Sequence, residues 1–124
     1  MDYALITGAS SGIGLEYARQ LARGGHNVII VSNRDEDNRR VAAEIAAEYS
    51  VSALPLYADL SQEGAADRIY EWVTAQGLTV DILINNAGML LFSTLEHTDP
   101  SRIDRIIALH CTTPTHLCLS LIHI

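Results

Sequence analysis

Between residues 7 and 14 the chain reads Thr7-Gly8-Ala9-Ser10-Ser11-Gly12-Ile13-Gly14. Glycines at the first, fifth and seventh places after Thr7 strip Cβ atoms from a turn, and a negatively charged group can then approach bare main-chain N–H donors. If the turn joins a strand to a helix, the positive end of the helix dipole adds to the attraction, and a pyrophosphate is the natural occupant. An ordinary glycine-rich turn has the same composition, so the neighbouring elements must decide between the two. Three other groups bear on chemistry: the amide pair Asn85-Asn86 before Ala87-Gly88, the acid in Asp59-Leu60, and a lone base in Ser32-Asn33-Arg34 followed by Asp35, Glu36 and Asp37.

The elements that would carry these groups follow from hydrophobic spacing. Tyr3–Thr7 is a short apolar run that stops at the glycines, as a buried strand does before a turn. After Gly14, residues Tyr17, Ala18, Leu21 and Ala22 recur at helical spacing, and Gly24-Gly25 closes the segment. The alternation repeats: a strand at Asn27–Ser32, a helix stripe of Val41, Ala42, Ile45, Ala46 and Tyr49, and a strand at Ser52–Tyr57. A helix carrying Ala65, Ala66, Ile69, Trp72 and Val73 comes next, then a strand at Asp81–Asn85. The strands are apolar along most of their length, which fits parallel strands covered on both faces, so the expected architecture is a doubly wound α/β sheet. Asp99 as N-cap with Pro100 behind it starts a last helix, with Ile103, Ile106, Ile107 and His110 on one side, and Pro114 is expected to kink or end it.

The glycine turn therefore sits where an anion site requires it. Thr-Gly-x-x-x-Gly-x-Gly after the first strand, Asp59-Leu60 beyond the third and Asn85-Asn86-Ala87-Gly88 after the fourth resemble the short-chain dehydrogenase/reductase family in its compact single-domain branch. The resemblance runs to about residue 118. It implies a Rossmann-like domain over residues 1–124, incomplete on its C-terminal side, with residues 119–124 as a non-native tail. It also implies an NAD(P)-dependent oxidoreductase that moves hydride between a nicotinamide and a carbonyl or alcohol. Carried over by position, Gly8, Ser10, Ser11, Gly12, Ile13 and Gly14 line the pyrophosphate and ribose, Asp59 and Leu60 meet adenine, and Asn86, Ala87 and Gly88 approach the adenosine side and the nicotinamide ribose. Asp59 has a second reading as an acid in the first turn of a helix, and Asn85 and Asn86 as amides that tie a strand end to its neighbours.

After the second strand an acid would bind the ribose 2′-hydroxyl and a base the 2′-phosphate. Ser32 stands where NAD-preferring relatives carry Asp and Arg34 is placed to pair with a phosphate, which favours NADP over NAD, while Asn33 departs from the pattern of NADP-preferring relatives, which usually carry the arginine there; Asp35, Glu36 and Asp37 read as first-turn acids of a helix. Family catalysis uses a Tyr whose pKa a Lys four residues later lowers. All eight basic residues here are arginines and none of Tyr3, Tyr17, Tyr49, Tyr57 or Tyr70 has that partner, so the chain resembles the cofactor-binding half and is expected to be inactive as it stands. The alternative is a non-catalytic dinucleotide-binding module. His110 takes the place of the family's relay Asn and is either a relay group or a helix histidine bonded to backbone.

Composition narrows the partners. Eight Arg against fifteen Asp+Glu leaves −7, which repels nucleic acid. No apolar run reaches the roughly 18 residues of a membrane span, and no signal-peptide pattern opens the chain. Cys111 and Cys118 are expected as reduced thiols in the cytoplasm, and the Cys and His residues of this region match no metal spacing. The family commonly forms homo-oligomers, and a small-molecule substrate is implied.

Overall fold

In a computed structural model the described residues are 2–122. Four strands, β1 (Asp2–Thr7), β2 (Asn27–Ser32), β3 (Ala53–Tyr57) and β4 (Thr79–Ile84), form one parallel sheet in the order β3-β2-β1-β4. Between them run α1 (Gly12–Arg23), α2 (Asp35–Tyr49) and α3 (Ala65–Ala75). Register is set at the centre, where Ile6 of β1 stands opposite Ile30 on one side and Ile84 on the other. The chain steps outward from β1 to β3 and then returns to β4 on the far side, so the loops after β1 and β4 part and leave a crevice over the carboxyl ends of the strands.

Alternate residues of the inner strands feed two cores. Ala4, Ile6, Val28 and Ile30 meet Ala18 and Ala22 of α1 and Val41, Ala42 and Ile45 of α2. Tyr3, Leu5, Ile29 and Val31 meet Ile69 and Val73 of α3 and, from the last helix, Leu117 and Leu121. Full burial of each large aliphatic side chain contributes roughly 1.5–3 kcal/mol, so β1 and β2, buried on both faces, anchor the loops at their ends. The outer strands β3 and β4 are only half-buried, unlike the evenly covered strands their apolar sequences suggest.

After β4 a long connection with a single 3₁₀ turn (Leu95–His97) leads to α4 (Pro100–Ile107). Asp99 caps α4 as expected, its Oδ1 accepting the Ser101 N–H at 2.9 Å, and this bond holds the Asp99 carboxyl below the usual range. Of the two outcomes expected at Pro114, the helix does not end there. The chain widens into a π turn (Ala108–Thr112) and continues as α5 (Thr113–Leu121), with Pro114 in the opening turn of α5, where a missing N–H costs little. Residues 119–121, set apart as a tail by sequence, continue α5, and Leu121 is buried; His123 and Ile124 lie outside the described residues. Among the described residues no helix is long and apolar enough to cross a membrane.

Candidate dinucleotide-binding site

The crevice is a cleft of about 710 Å³, within the range of small-molecule sites. Gly8, Ser10, Ser11 and Ile13 line it from the first turn, Ser32, Asn33 and Arg34 from the end of β2, Asp59 and Leu60 from the end of β3, and Asn86, Ala87 and Gly88 from the end of β4. Segments spread over eighty residues of sequence thus meet at one place because all four strands end on the same side.

The first turn is shaped by close approach. Gly8 has φ +66°, and a Cβ there would lie 2.9 Å from both the Ala87 Cα and the Asn86 Nδ2. At Gly14 a Cβ would collide with the Gly8 carbonyl oxygen and lie 2.5 Å from the Asn86 Nδ2. Gly12 and Gly14 therefore act through the shape of the turn and their main-chain N–H groups. Gly14 lets α1 pack under the loop after β4, and Gly12, at φ +59°, turns the chain into the helix. The first bond of α1 runs from the Leu15 N–H to the Ser11 carbonyl at 3.2 Å, so the N–H groups of Gly12, Ile13 and Gly14 precede any intrahelical acceptor. The Ser11 side chain makes no capping bond that would compete for them.

A clasp joins the first turn to the loop after β4. The Thr7 hydroxyl accepts the N–H groups of Asn86 at 3.0 Å and Ala87 at 3.1 Å and donates to the Ile84 carbonyl at 3.4 Å. In return the Asn86 side-chain amide donates to the carbonyls of Thr7 at 3.1 Å and Gly8 at 3.3 Å. Asn86 is thus a tie as well as a lining residue, and the Asn85 amide reaches the Cys118 Sγ at 3.5 Å. Thr7, buried to 2% exposure, opens the glycine motif in the sequence, but its part as a tie to the loop after β4 was not legible there.

At the end of β2 the surprise is Asn38. It falls on the buried stripe of α2 with Val41, Ala42 and Ile45, is fully buried, and bonds the Ser32 hydroxyl and two strand-end carbonyls. A polar residue at a core position of an amphipathic helix was the available signal. Arg34 lines the cleft with its side chain largely exposed, 3.9 Å from Asp37; Asp35, Glu36 and Asp37 do fill the first turn of α2.

Asp59 does not sit in the first turn of a helix, because α3 begins only at Ala65, behind Gly64 at φ +76°. Its Oδ1 instead accepts the Ser61 hydroxyl at 2.6 Å and the Ser61 N–H at 3.1 Å. These bonds hold the Asp59 carboxyl below the usual range, aided by the Arg105 guanidinium and opposed by partial burial. Leu60 is buried beside it, its carbonyl accepting the Thr113 hydroxyl at 2.7 Å. Sequence analysis also missed Arg102 and Arg105, which line the cleft from α4. His110 sits against Gly88, and its Nε2 is 3.1 Å from the Met89 nitrogen and 3.0 Å from the Met89 oxygen, so the ring tautomer decides which it engages. Among the described residues no three His, Cys, Asp or Glu side chains gather as a metal site, and Cys111 and Cys118 are free.

Fold and cleft together define a Rossmann-like α/β domain. A family model described as short chain dehydrogenase matches residues 2–124, and the chain belongs to that family. It is 35% identical over 112 residues to a very-long-chain 3-oxoacyl-CoA reductase of Kluyveromyces lactis, covering 89% of this chain and 32% of the reductase. A bulky-bulky ketone specific alcohol dehydrogenase from Comamonas testosteroni superposes with a TM-score of 0.88 at 35% identity, covering 98% of this chain and 48% of that one. A short-chain dehydrogenase from Sphingobium yanoikuyae, solved in complex with NADPH, gives a TM-score of 0.88 at 33% identity over 98% of this chain and 47% of that one. The chain spans about half the length of these solved relatives and about a third of the reductase.

Proposed function

We propose that the cleft binds NADP(H) and that these residues form the cofactor-holding part of an oxidoreductase acting on a carbonyl or alcohol. The observation that carries the reading is the convergence, on one cleft, of an uncapped helix start, a glycine turn held tight against Asn86 and Ala87, and the strand-end segments Asp59-Leu60 and Asn86-Ala87-Gly88. The main-chain N–H groups ahead of Leu15 neutralise the pyrophosphate, with the dipole of α1 behind them. Asp59 stays ionised through its Ser61 bonds and accepts from the adenine amino group, while Gly8 and Gly88 let sugar and phosphate pack on bare backbone. Ser10, Ser11 and Ile13 close over the pyrophosphate from the first turn, and Asn33 and Arg34 bind the 2′-phosphate. The NADPH complex of the Sphingobium yanoikuyae relative supports NADP over NAD.

When bound, the nicotinamide supplies the hydride. This chain's part is to bind and orient it, because a tyrosine activated by a lysine cannot be drawn from a sequence without lysine. The chain alone is therefore inactive toward carbonyls, and the substrate is chosen elsewhere in the protein. The free thiols Cys111 and Cys118 fit a reducing, cytoplasmic setting. Titrating the folded chain with NADPH and following nicotinamide fluorescence tests the reading. Saturable binding, weakened by raised salt, is expected; a folded chain that binds neither NADPH nor NADH would overturn it.

A further inference from the structure

We propose that Arg105 is an adenine-binding residue, its guanidinium lying over the purine ring while Asp59 takes the ring's amino group. The inference rests on the dinucleotide reading above and adds to it a contact from α4 that no motif in the chain announces.

Charge singles the residue out. The chain carries −7, yet the charged side chains lining the cleft are Arg34, Arg102 and Arg105 against Asp59 alone. Arg34, Arg39 and Arg40 each stand beside an acid of α2. Among the described residues Arg102 and Arg105 close no such pair, so their guanidinium groups are open to a ligand.

Position decides which part of the ligand Arg105 meets. Arg102, Arg105 and Leu109 fall at i, i+3 and i+7, one stripe of α4 continued into the π turn, and all three line the cleft. His110, next along the chain, lies against Gly88, and each earlier residue is about 1.5 Å further away along the axis. The stripe therefore runs from the Gly88 end of the cleft toward the Asp59 end. There Arg105 also borders the turn Ser61–Ala66, and its charge bears on the Asp59 carboxyl. The bond from the Thr113 hydroxyl to the Leu60 carbonyl, 2.7 Å long, ties the start of α5 to the same strand end and fixes this approach. Since α1 and α2 cover the opposite face of the sheet, the first turn and Arg34 stand on the other wall from Arg105.

With the phosphates held on that wall, the part of the ligand left for Arg105 is the adenine. The Asp59 Oδ1 is taken by Ser61, whereas Oδ2 has only the Gln62 Nε2 at 3.4 Å and keeps a lone pair for the adenine amino group. That contact lies in the plane of the ring and leaves the face uncovered. A guanidinium is planar, carries its charge over the whole plane and stacks on flat rings, bases among them. Acid and base therefore meet different parts of one purine and do not compete.

The test titrates the wild-type chain, Arg105→Ala and Arg105→Lys with NADPH, NADH and 2′,5′-ADP, with a melting curve for each chain. Arg105 is exposed on a helix, and both replacements are good helix formers, so both variants should fold. Arg105→Ala is expected to weaken all three ligands by the same factor, about fivefold. Arg105→Lys should recover little of this, because an ammonium has no plane to lay on the ring, and the loss should persist at about 0.5 M NaCl, where a Coulombic pair is screened. Unchanged affinity for 2′,5′-ADP in folded Arg105→Ala would overturn the inference. So would a loss confined to NADPH or to low salt, or full recovery in Arg105→Lys, since each marks a contact to phosphate instead of the ring. Wild-type chain that is folded and binds neither NADPH nor NADH would overturn the dinucleotide reading and this inference together, a result distinct from an Arg105 variant that binds as the wild type does.

Discussion

Replacing Gly14 by Ala sets two forces against each other. Gly14 lies in α1 with ordinary helical backbone, so propensity favours Ala by about 1 kcal/mol. Packing opposes it, since the new Cβ would sit 2.5 Å from the Asn86 Nδ2 and 2.8 Å from the Gly8 carbonyl carbon. Ordinary carbon contacts are about 3.5–4.0 Å, so the turn and the helix must part by roughly 1 Å. Gly8 has no room to retreat, because its own free side faces the Ala87 Cα, and moving Asn86 stretches its bonds to the Thr7 and Gly8 carbonyls. Overpacking of this kind costs about 1–3 kcal/mol, and the strained pair of hydrogen bonds adds about 1 kcal/mol each. The balance is a net loss of roughly 3 kcal/mol, a fall in Tm of about 12 °C for a chain of this size. Urea unfolding with a shared m-value, together with thermal melts, measures it. Gly12→Ala is the control: nothing lies within 4 Å of its Cβ, so only the strain of φ +59° remains, about 1–2 kcal/mol, with the Asn86 clasp intact. NADPH binding should be lost at Gly14→Ala. A variant as stable as wild type, or more stable, would show that helix propensity outweighs the contact and that the reasoning about Gly14 is wrong.

Thr7→Val keeps the shape of the side chain and removes the acceptor shared by the Asn86 and Ala87 N–H groups, so a destabilisation of about 2 kcal/mol is expected, with weaker NADPH binding; a change below 0.5 kcal/mol in urea unfolding would count against the clasp. Asp59 is held below its ordinary value of 3.8, so its stabilising effect is present above that value and fades as pH falls through the lower folded-state one. The gap in urea midpoint between wild type and Asp59→Ala should therefore be constant from about pH 8 to pH 5 and narrow below about pH 4, and a gap undiminished at pH 3 would refute the assignment. Arg34→Ala should weaken NADPH binding by about tenfold, leave NADH binding within about twofold and change stability by less than about 0.5 kcal/mol, since its pair with Asp37 is exposed and 3.9 Å long; equal losses for both nucleotides would place Arg34 elsewhere on the cofactor.

Local signals carried the order and type of most elements, because periodicity and turn residues report on a few neighbouring positions at a time. The strand-turn-helix at Thr7–Gly14, the caps at Asp99-Pro100 and the acidic start of α2 were all legible that way. The segments at the ends of β3 and β4 were pointed to by the family resemblance, and they meet because strand ends in a parallel sheet share one side. Asn38 was not legible, because its partners Ser32 and Leu56 come within reach only when β2, β3 and α2 have packed. Arg102 and Arg105 join the cleft through the placement of α4 against the sheet, which no spacing in the chain encodes. The passage of the helix through Pro114 depended on a π turn, and the turn in front of α3 turned Asp59 from a helix-start acid into the acceptor of Ser61. Residue spacing determines which donors and glycines exist and on which element they ride. Which of them touch, and which bonds are already spent before a ligand arrives, is settled by packing between segments far apart in sequence, where burial makes every unpaired polar group costly.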